Sequence, residues 1–219
     1  MTDPTPQLAM SLPEATQWVL RQEGGLLQFA YVEAGAAALI DLALAGRITT
    51  LRNRGFFNQD DQRRIVVTDP TPLGVPELDR ALEILGTQNR PRRIKKWIWE
   101  ISRAVSDIVR AEMVGAGLAE EVGAPFPSHR GNLRVLDDSR QTIAVAMLNR
   151  ADLFPTKVTD PRAGALVDLM RNGGPHFRGG RERPLTTQIL HEWYPPEVRP
   201  TIDGVLWALT ARTASGGIY

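Results

Sequence analysis

One segment of the chain, AGAAALIDLALAG at residues 34–46, constrains the possible folds more than any other. Asp41 is its only polar side chain, so a helix formed by this segment has no polar face to present to water. Such a helix has to lie at the centre of a domain, covered by other elements, and Gly46 is placed to end it. The sequence therefore predicts a buried helix from about 31 to 45, with these residues in the core: Leu39, Ile40, Leu42 and Leu44.

Helical periodicity recurs on both sides of this segment. Ser11 and Glu14 have the spacing of a capping box and Pro13 suits a first turn, which predicts a helix over about 12–22 with Trp18 and Val19 facing inward. A longer helix is predicted over about 92–116. Its apolar stripe has steps of four and three residues: Ile94, Ile98, Ile101, Val105 and Ile108. Further helices are expected at about 75–86, 140–153, 162–171 and 203–213.

Two short regions change to β-type patterns. The runs RITTL and RRIVVTD flank the polar loop RNRGFFNQDDQ, and GNLRVLDDS lies within a second candidate hairpin at 123–139. The expected fold class is mainly α: a single compact helical domain with two β-hairpin excursions. Residues 1–10, with two prolines, are expected to be a flexible N-terminal tail, and residues 11–219 form the domain.

Motifs of enzymes and metalloproteins are not evident in the sequence. The chain has no cysteine, and its three histidines lack the spacing of a zinc site. The glycine-rich segment 171–184 does not end in the GK[ST] of a nucleotide-binding loop, and no GxSxG nucleophile elbow occurs. We therefore expect a non-enzymatic protein without a metal or other cofactor.

The longest apolar run, AGAAALI, is far shorter than the about 20 residues that a membrane-spanning helix needs. The N-terminal residues also lack the basic and apolar regions of a secretory signal. We therefore expect a cytoplasmic protein whose contact with a membrane is peripheral.

The middle of the chain is basic although the net charge is only +1: residues 47–103 carry twelve Arg and Lys against seven Asp and Glu. Lys96, Arg103 and Arg110 recur every seven residues and so form one stripe on the long helix. Together with Arg93 they are the candidate residues for binding an anion or lipid headgroup. Acidic residues four positions later, Glu100 and Asp107, leave open the alternative that the stripe consists of surface ion pairs.

Exposed aromatic side chains beside basic ones are typical of proteins that lie at a membrane interface. The segment RPRRIKKWIWE at 90–100 contains Trp97 and Trp99, of which one is expected in the core because Ile98 faces inward. Trp97 is the candidate for membrane insertion here. Phe126 is a second candidate, in the later hairpin, and the pair Phe56 and Phe57 lies in the loop of the first hairpin.

Six segments in order make the chain resemble the Golgi phosphoprotein 3 family, bacterial members included. These are LIDLALAGRI (39–48), DPTPLGVPELDRALEIL (69–85), KKWIWEIS (95–102), MVGAGL (113–118), DPRAGALVDLM (160–170) and DGVLWALTA (203–211). The resemblance implies a mainly helical domain with β-hairpins. It also implies a peripheral adaptor that binds phosphatidylinositol 4-phosphate and a protein partner such as the tail of a membrane enzyme.

The family's lipid pocket uses a Trp and an Arg near the second helix and an Arg-x-x-Arg pair on the long helix. In this chain the Trp position falls near residues 26–28, the Arg at Gly35, and the pair at Ser102 and Val105. The family's membrane-inserting hairpin corresponds to 123–136, which includes Phe126. The resemblance therefore predicts an anionic-lipid adaptor with low headgroup selectivity.

A second hypothesis comes from the helices that precede the basic first hairpin, which together have the outline of a winged-helix nucleic-acid-binding module. The helix before the hairpin is too apolar to contact base edges, which requires exposed Arg, Asn or Gln. We therefore expect no nucleic-acid partner and retain this reading only as the alternative.

Overall fold

In the computed structural model, residues 9–20, 26–27, 30–51, 63–87, 91–123, 132–173 and 191–214 are described. They form a mainly α fold of seven α-helices with two small antiparallel sheets. The helices are α1 (Leu12–Trp18), α2 (Tyr31–Leu44), α3 (Pro76–Gly86), α4 (Ile94–Gly115), α5 (Ser139–Leu153), α6 (Pro161–Asn172) and α7 (Arg199–Ala214). The strands are β1 (Leu26–Leu27), β2 (Ile48–Leu51), β3 (Arg64–Val67), β4 (Arg92–Arg93), β5 (Ala119–Val122) and β6 (Asn132–Val135).

Helix α2 is the centre of the molecule, as predicted. It packs most extensively against α4 and also contacts α1, α3, α6 and α7. Leu39, Ile40 and Leu42 have no exposed surface, while Leu44, in the last turn, is only partly buried. Gly46 follows the helix with a φ of 70°, a left-handed conformation that glycine adopts without strain.

Two carboxyl groups from neighbouring helices hold the start of α1. The Ser11 side chain accepts a hydrogen bond from the Glu14 backbone N–H, so the predicted N-cap is confirmed. The Ser11 hydroxyl also donates to Glu77 on α3, and the Leu12 N–H donates to Asp41 Oδ2 on α2 at 2.6 Å. The helix ends at Trp18, four residues before the predicted end.

The first predicted hairpin is confirmed, and the structure adds a strand to it. β2 pairs with β3, and β3 then pairs with β4, so the sheet has the order β2-β3-β4. The second hairpin is formed by β5 and β6, with β1 on the other side of β6. Its first strand precedes the predicted range 123–139. Strands of two residues, such as β1 and β4, are too short to leave a periodic signal in the sequence.

The predicted stripe of α4 is buried except at its last position. Ile94, Ile98, Ile101 and Val105 are at most 3% exposed, whereas Ile108 is only half-buried and the neighbouring Val109 is buried instead. The buried face therefore moves around the helix along its length, as happens when a long helix crosses its neighbours at an angle.

The last two helices differ slightly from the prediction. α6 begins with Asp160 as its N-cap, whose carboxylate accepts from the Arg162 N–H at 2.9 Å. α7 begins at Arg199, four residues before the predicted start, with Pro200 in its first turn, where a proline loses no hydrogen bond.

Candidate lipid-contact surface

Three of the four predicted basic residues lie on the surface, and the fourth does not. Arg93, Lys96 and Arg103 are exposed. Arg110 is only 8% exposed, and its Nε donates to Glu121 Oε1 on β5 at 2.9 Å. The seven-residue spacing placed Arg110 in the stripe, but the buried face of α4 has rotated onto that side by residue 110. Arg110 thus joins α4 to the second sheet.

The two tryptophans of α4 have opposite environments. Trp97 is 2% exposed, with the Arg92 guanidinium 5.6 Å from its ring centre, so it belongs to the core. Trp99 is 48% exposed. A side chain already buried in the core cannot also enter a membrane while the fold is intact, and we therefore correct the insertion prediction from Trp97 to Trp99.

The ion pair between Lys96 and Glu100, which the sequence left open as an alternative, does not form. Glu100 forms an ion pair with Arg92, in the strand that precedes the helix. Within the described part of the chain, neither Lys96 nor Arg103 forms an ion pair. Lys96, Trp99 and Arg103 are separated by three and then four residues. These three exposed side chains therefore share one face of α4.

The sheet that precedes α4 carries two further arginines. Arg64 on β3 lies directly opposite Arg93 on β4, so both side chains are on the same face of the sheet. Like charges directly opposite each other repel. Arg64 Nη1 donates to the Pro91 carbonyl at 3.3 Å, and Leu51, its neighbour on β2, is 50% exposed.

The first turn of α4 adds further positive charge. It contains Lys95 and Lys96, with no acidic residue and no side-chain cap. Since the N-terminal end of a helix is itself positive, this turn would be stabilised by an anion. We call the whole surface the basic surface and define it by six residues: Arg64, Arg93, Lys95, Lys96, Trp99 and Arg103.

The positions that the resemblance aligns with the family's headgroup pocket are largely buried. Gly35 is buried on α2 where it crosses α4, Ser102 is 3% exposed and Val105 has no exposed surface. In β1, Leu26 is half-buried and Leu27 is 1% exposed. None of these positions offers a cationic side chain to a phosphate.

The sequence did not predict strand β4, or that Arg64 and Arg93 are cross-strand neighbours. The only signal was the pair Arg92 and Arg93 directly after a proline, which does not reveal a strand partner nearly thirty residues earlier. Phe56, Phe57 and Phe126 lie outside the described residues. Among the residues that are described, no three His, Asp or Glu side chains come together as metal ligands.

The buried α2, the helices packed around it and the two small sheets define a class of mainly helical domain that carries β-hairpins. The model of the protein family Golgi phosphoprotein 3 (GPP34) matches residues 29–205, from just before α2 into α7. The chain belongs to the Golgi phosphoprotein 3 family. No curated protein matches the chain significantly. Across the described ranges, no helix combines the length and the apolar character needed to cross a membrane.

Proposed function

We propose that this protein is a peripheral membrane adaptor: the basic surface contacts anionic lipid headgroups, and another face binds a partner protein. The observation that carries the proposal is the exposed Trp99 between Lys96 and Arg103 on one face of α4. Tryptophan is favoured at headgroup depth, where its ring meets the apolar boundary while its N–H stays near water.

The strength of such a contact comes from several cations acting together. Each Lys or Arg near an anionic membrane contributes about 1 kcal/mol, so the five cations of the basic surface could provide a few kcal/mol in total. Trp99 adds apolar contact area that salt does not screen. The adaptor therefore needs no closed headgroup pocket.

Family membership supports the adaptor role and does not by itself identify the lipid. The pocket positions Gly35, Ser102 and Val105 carry no cation and are buried. The proposal is therefore for general recognition of anionic lipid on the cytoplasmic side of a membrane rather than for phosphatidylinositol 4-phosphate in particular.

The nucleic-acid alternative is disfavoured by the environment of α2. A winged-helix reading needs the helix before the first hairpin to reach into a DNA groove. α2 is covered by α1, α3, α4, α6 and α7, and its side chains from Val32 to Ala43 are buried. It has no surface with which to contact base edges.

The experiment compares two charge reversals that change the net charge equally. The test variant carries Lys96→Glu and Arg103→Glu, and the control carries Arg150→Glu and Lys157→Glu, two exposed cations on and just after α5. Co-sedimentation is measured with phosphatidylserine–phosphatidylcholine vesicles. The test variant should bind at least about 30-fold more weakly, because it loses at least about 2 kcal/mol, while the control stays within about threefold of wild type.

Two outcomes would contradict the proposal. One is the absence of vesicle binding by the wild-type protein at low salt. The other is equal loss in both variants, which would show a response to net charge rather than to the basic surface. A duplex-DNA shift assay on the same proteins tests the alternative, because only a nucleic-acid module should bind DNA tightly.

A further inference from the structure

A second exposed apolar patch lies at the end of α5, a helix that contributes no residue to the basic surface. Leu153 is 49% exposed and Phe154, the next residue, is 51% exposed. These two large apolar side chains in succession form a small exposed apolar patch. α5 packs mainly against α1 and α6 rather than against α4.

Beside Phe154 the surface is concave and apolar. The depression lies between α5, the short turn Pro155–Lys157 and the start of α6, and it is lined by these apolar residues: Met147, Ala151, Phe154, Val158 and Ala163. Its cavity volume is only about 10 Å³, enough for about one water, so it does not enclose a small molecule. Its shape suits a side chain laid over it rather than a ligand enclosed by it.

Two exposed cations border this depression. Arg150 lies one turn before Phe154, and Lys157 Nζ lies 5.4 Å from the centre of the Phe154 ring. Neither cation forms an ion pair with a residue in the described ranges. The one carboxylate of the depression, Asp160, is 8% exposed, caps α6 and is 3.6 Å from Arg162 Nε. It is therefore engaged within the fold.

The protein holds this arrangement in place before any ligand binds. Trp193 Nε1 donates to the Pro155 carbonyl at 2.8 Å, which ties the short turn to the segment before α7. Trp193 lies so close to Gly164 on α6 that a Cβ atom there would overlap the indole ring. A surface fixed in advance loses little conformational entropy when a partner binds.

We propose that this patch is a docking site for an acidic peptide segment of a partner protein, in which a bulky apolar side chain lies beside carboxylates. The apolar side chain packs on Phe154 and Leu153 over the depression. The carboxylates pair with Arg150 and Lys157, which makes the site complementary in charge as well as in shape. The site would leave the basic surface of the adaptor available to lipid.

The test selects peptides from a random 12-residue phage-displayed library on the full-length protein. The selected peptides should contain Asp or Glu next to Phe, Leu, Ile or Trp. A synthetic peptide of the selected sequence should lose at least about tenfold in affinity with Phe154→Ala and with the double variant Arg150→Glu, Lys157→Glu. Ile143→Ala, at another exposed apolar residue of α5 (42%) that does not line the depression, should leave the affinity unchanged.

Several results would overturn the proposal. These are no enrichment, enrichment of basic peptides, or binding that Phe154→Ala does not change. Phosphatidylserine vesicles form a separate arm: if Phe154→Ala weakens vesicle binding as strongly as Trp99→Ala does, the patch is a membrane contact instead. If neither the wild-type protein nor any variant bound vesicles, the lipid role would be contradicted, but the test of peptide binding would not be affected. A thermal unfolding scan confirms that each variant is folded.

Discussion

Gly35 on α2 and Ser102 on α4 touch at the point where the two helices cross. A Cβ atom at position 35 would lie 2.7 Å from the Ile98 carbonyl oxygen and 3.1 Å from Ser102 Cα. The Ser102 hydroxyl donates to that same Ile98 carbonyl. The closeness of the two backbones is thus possible only because position 35 has no side chain.

Gly35→Ala should destabilise the fold by about 1–3 kcal/mol, because the added methyl group meets backbone atoms that cannot move independently of the helix. Chemical denaturation measures the loss. Gly86→Ala is the matched control, since nothing lies within 4 Å of an added Cβ at the end of α3. Its stability should be unchanged or raised by up to about 1 kcal/mol. Equal effects of the two changes would refute the close-packing explanation.

The burial of these positions on α2 and α4 also determines the expected lipid preference. Because Gly35, Ser102 and Val105 are buried, we expect less than tenfold preference for phosphatidylinositol 4-phosphate over phosphatidylserine at equal total charge. Vesicle co-sedimentation at physiological salt measures this ratio. A preference of tenfold or more would mean that a headgroup site exists elsewhere on the protein, with Arg103 and the arginines of β3 and β4 as the first positions to examine.

The two tryptophans of α4 provide a matched pair of variants. Trp99→Ala should weaken vesicle binding while lowering the free energy of unfolding by at most about 2 kcal/mol, because about half of the Trp99 side chain is already exposed. Trp97→Ala should lower the free energy of unfolding by about 3–5 kcal/mol, because it empties a buried site. Retained vesicle binding by a folded Trp99→Ala protein would remove the aromatic contribution from the proposed contact.

Stability should depend on pH through Asp41. Burial raises the pKa of its carboxyl group from 3.8 to about 6, against the opposing effects of the Leu12 N–H and Arg162. A carboxyl group with a raised folded-state pKa favours folding below its unfolded pKa, and this contribution is lost as the pH rises through the folded pKa. As the pH rises from about 4 to about 6, ionisation of Asp41 should therefore lower the free energy of unfolding by about 3 kcal/mol.

Asp41→Asn checks this assignment, since its amide does not titrate. The difference in unfolding free energy between Asp41→Asn and wild type should change by about 3 kcal/mol over the same pH range. Burial also raises the pKa of Glu77, so the wild-type curve includes a second contribution that both proteins share. If the difference between the two proteins did not vary with pH, Asp41 would not be the titrating group.

The sequence by itself determined which segments become helices and which one lies at the centre. AGAAALIDLALAG has no polar face, so any fold that leaves it exposed is unfavourable. The capping residues Ser11 and Gly46 each mark a helix end only a few positions away in the sequence, so these helix ends could also be predicted from the sequence. The presence of two hairpins followed in the same way, from alternating runs and the loops between them.

Only the tertiary structure decided which side of α4 faces solvent at each point along its length. A seven-residue spacing places Lys96, Arg103 and Arg110 in line, but the crossing with α2 and the contact with β5 turn the buried face until Arg110 is covered. Packing of α4 against its neighbours also buried Trp97 and left Trp99 exposed. The pairing of β3 with β4 placed Arg64 beside Arg93. These outcomes depend on contacts between residues distant in sequence, which local periodicity does not encode.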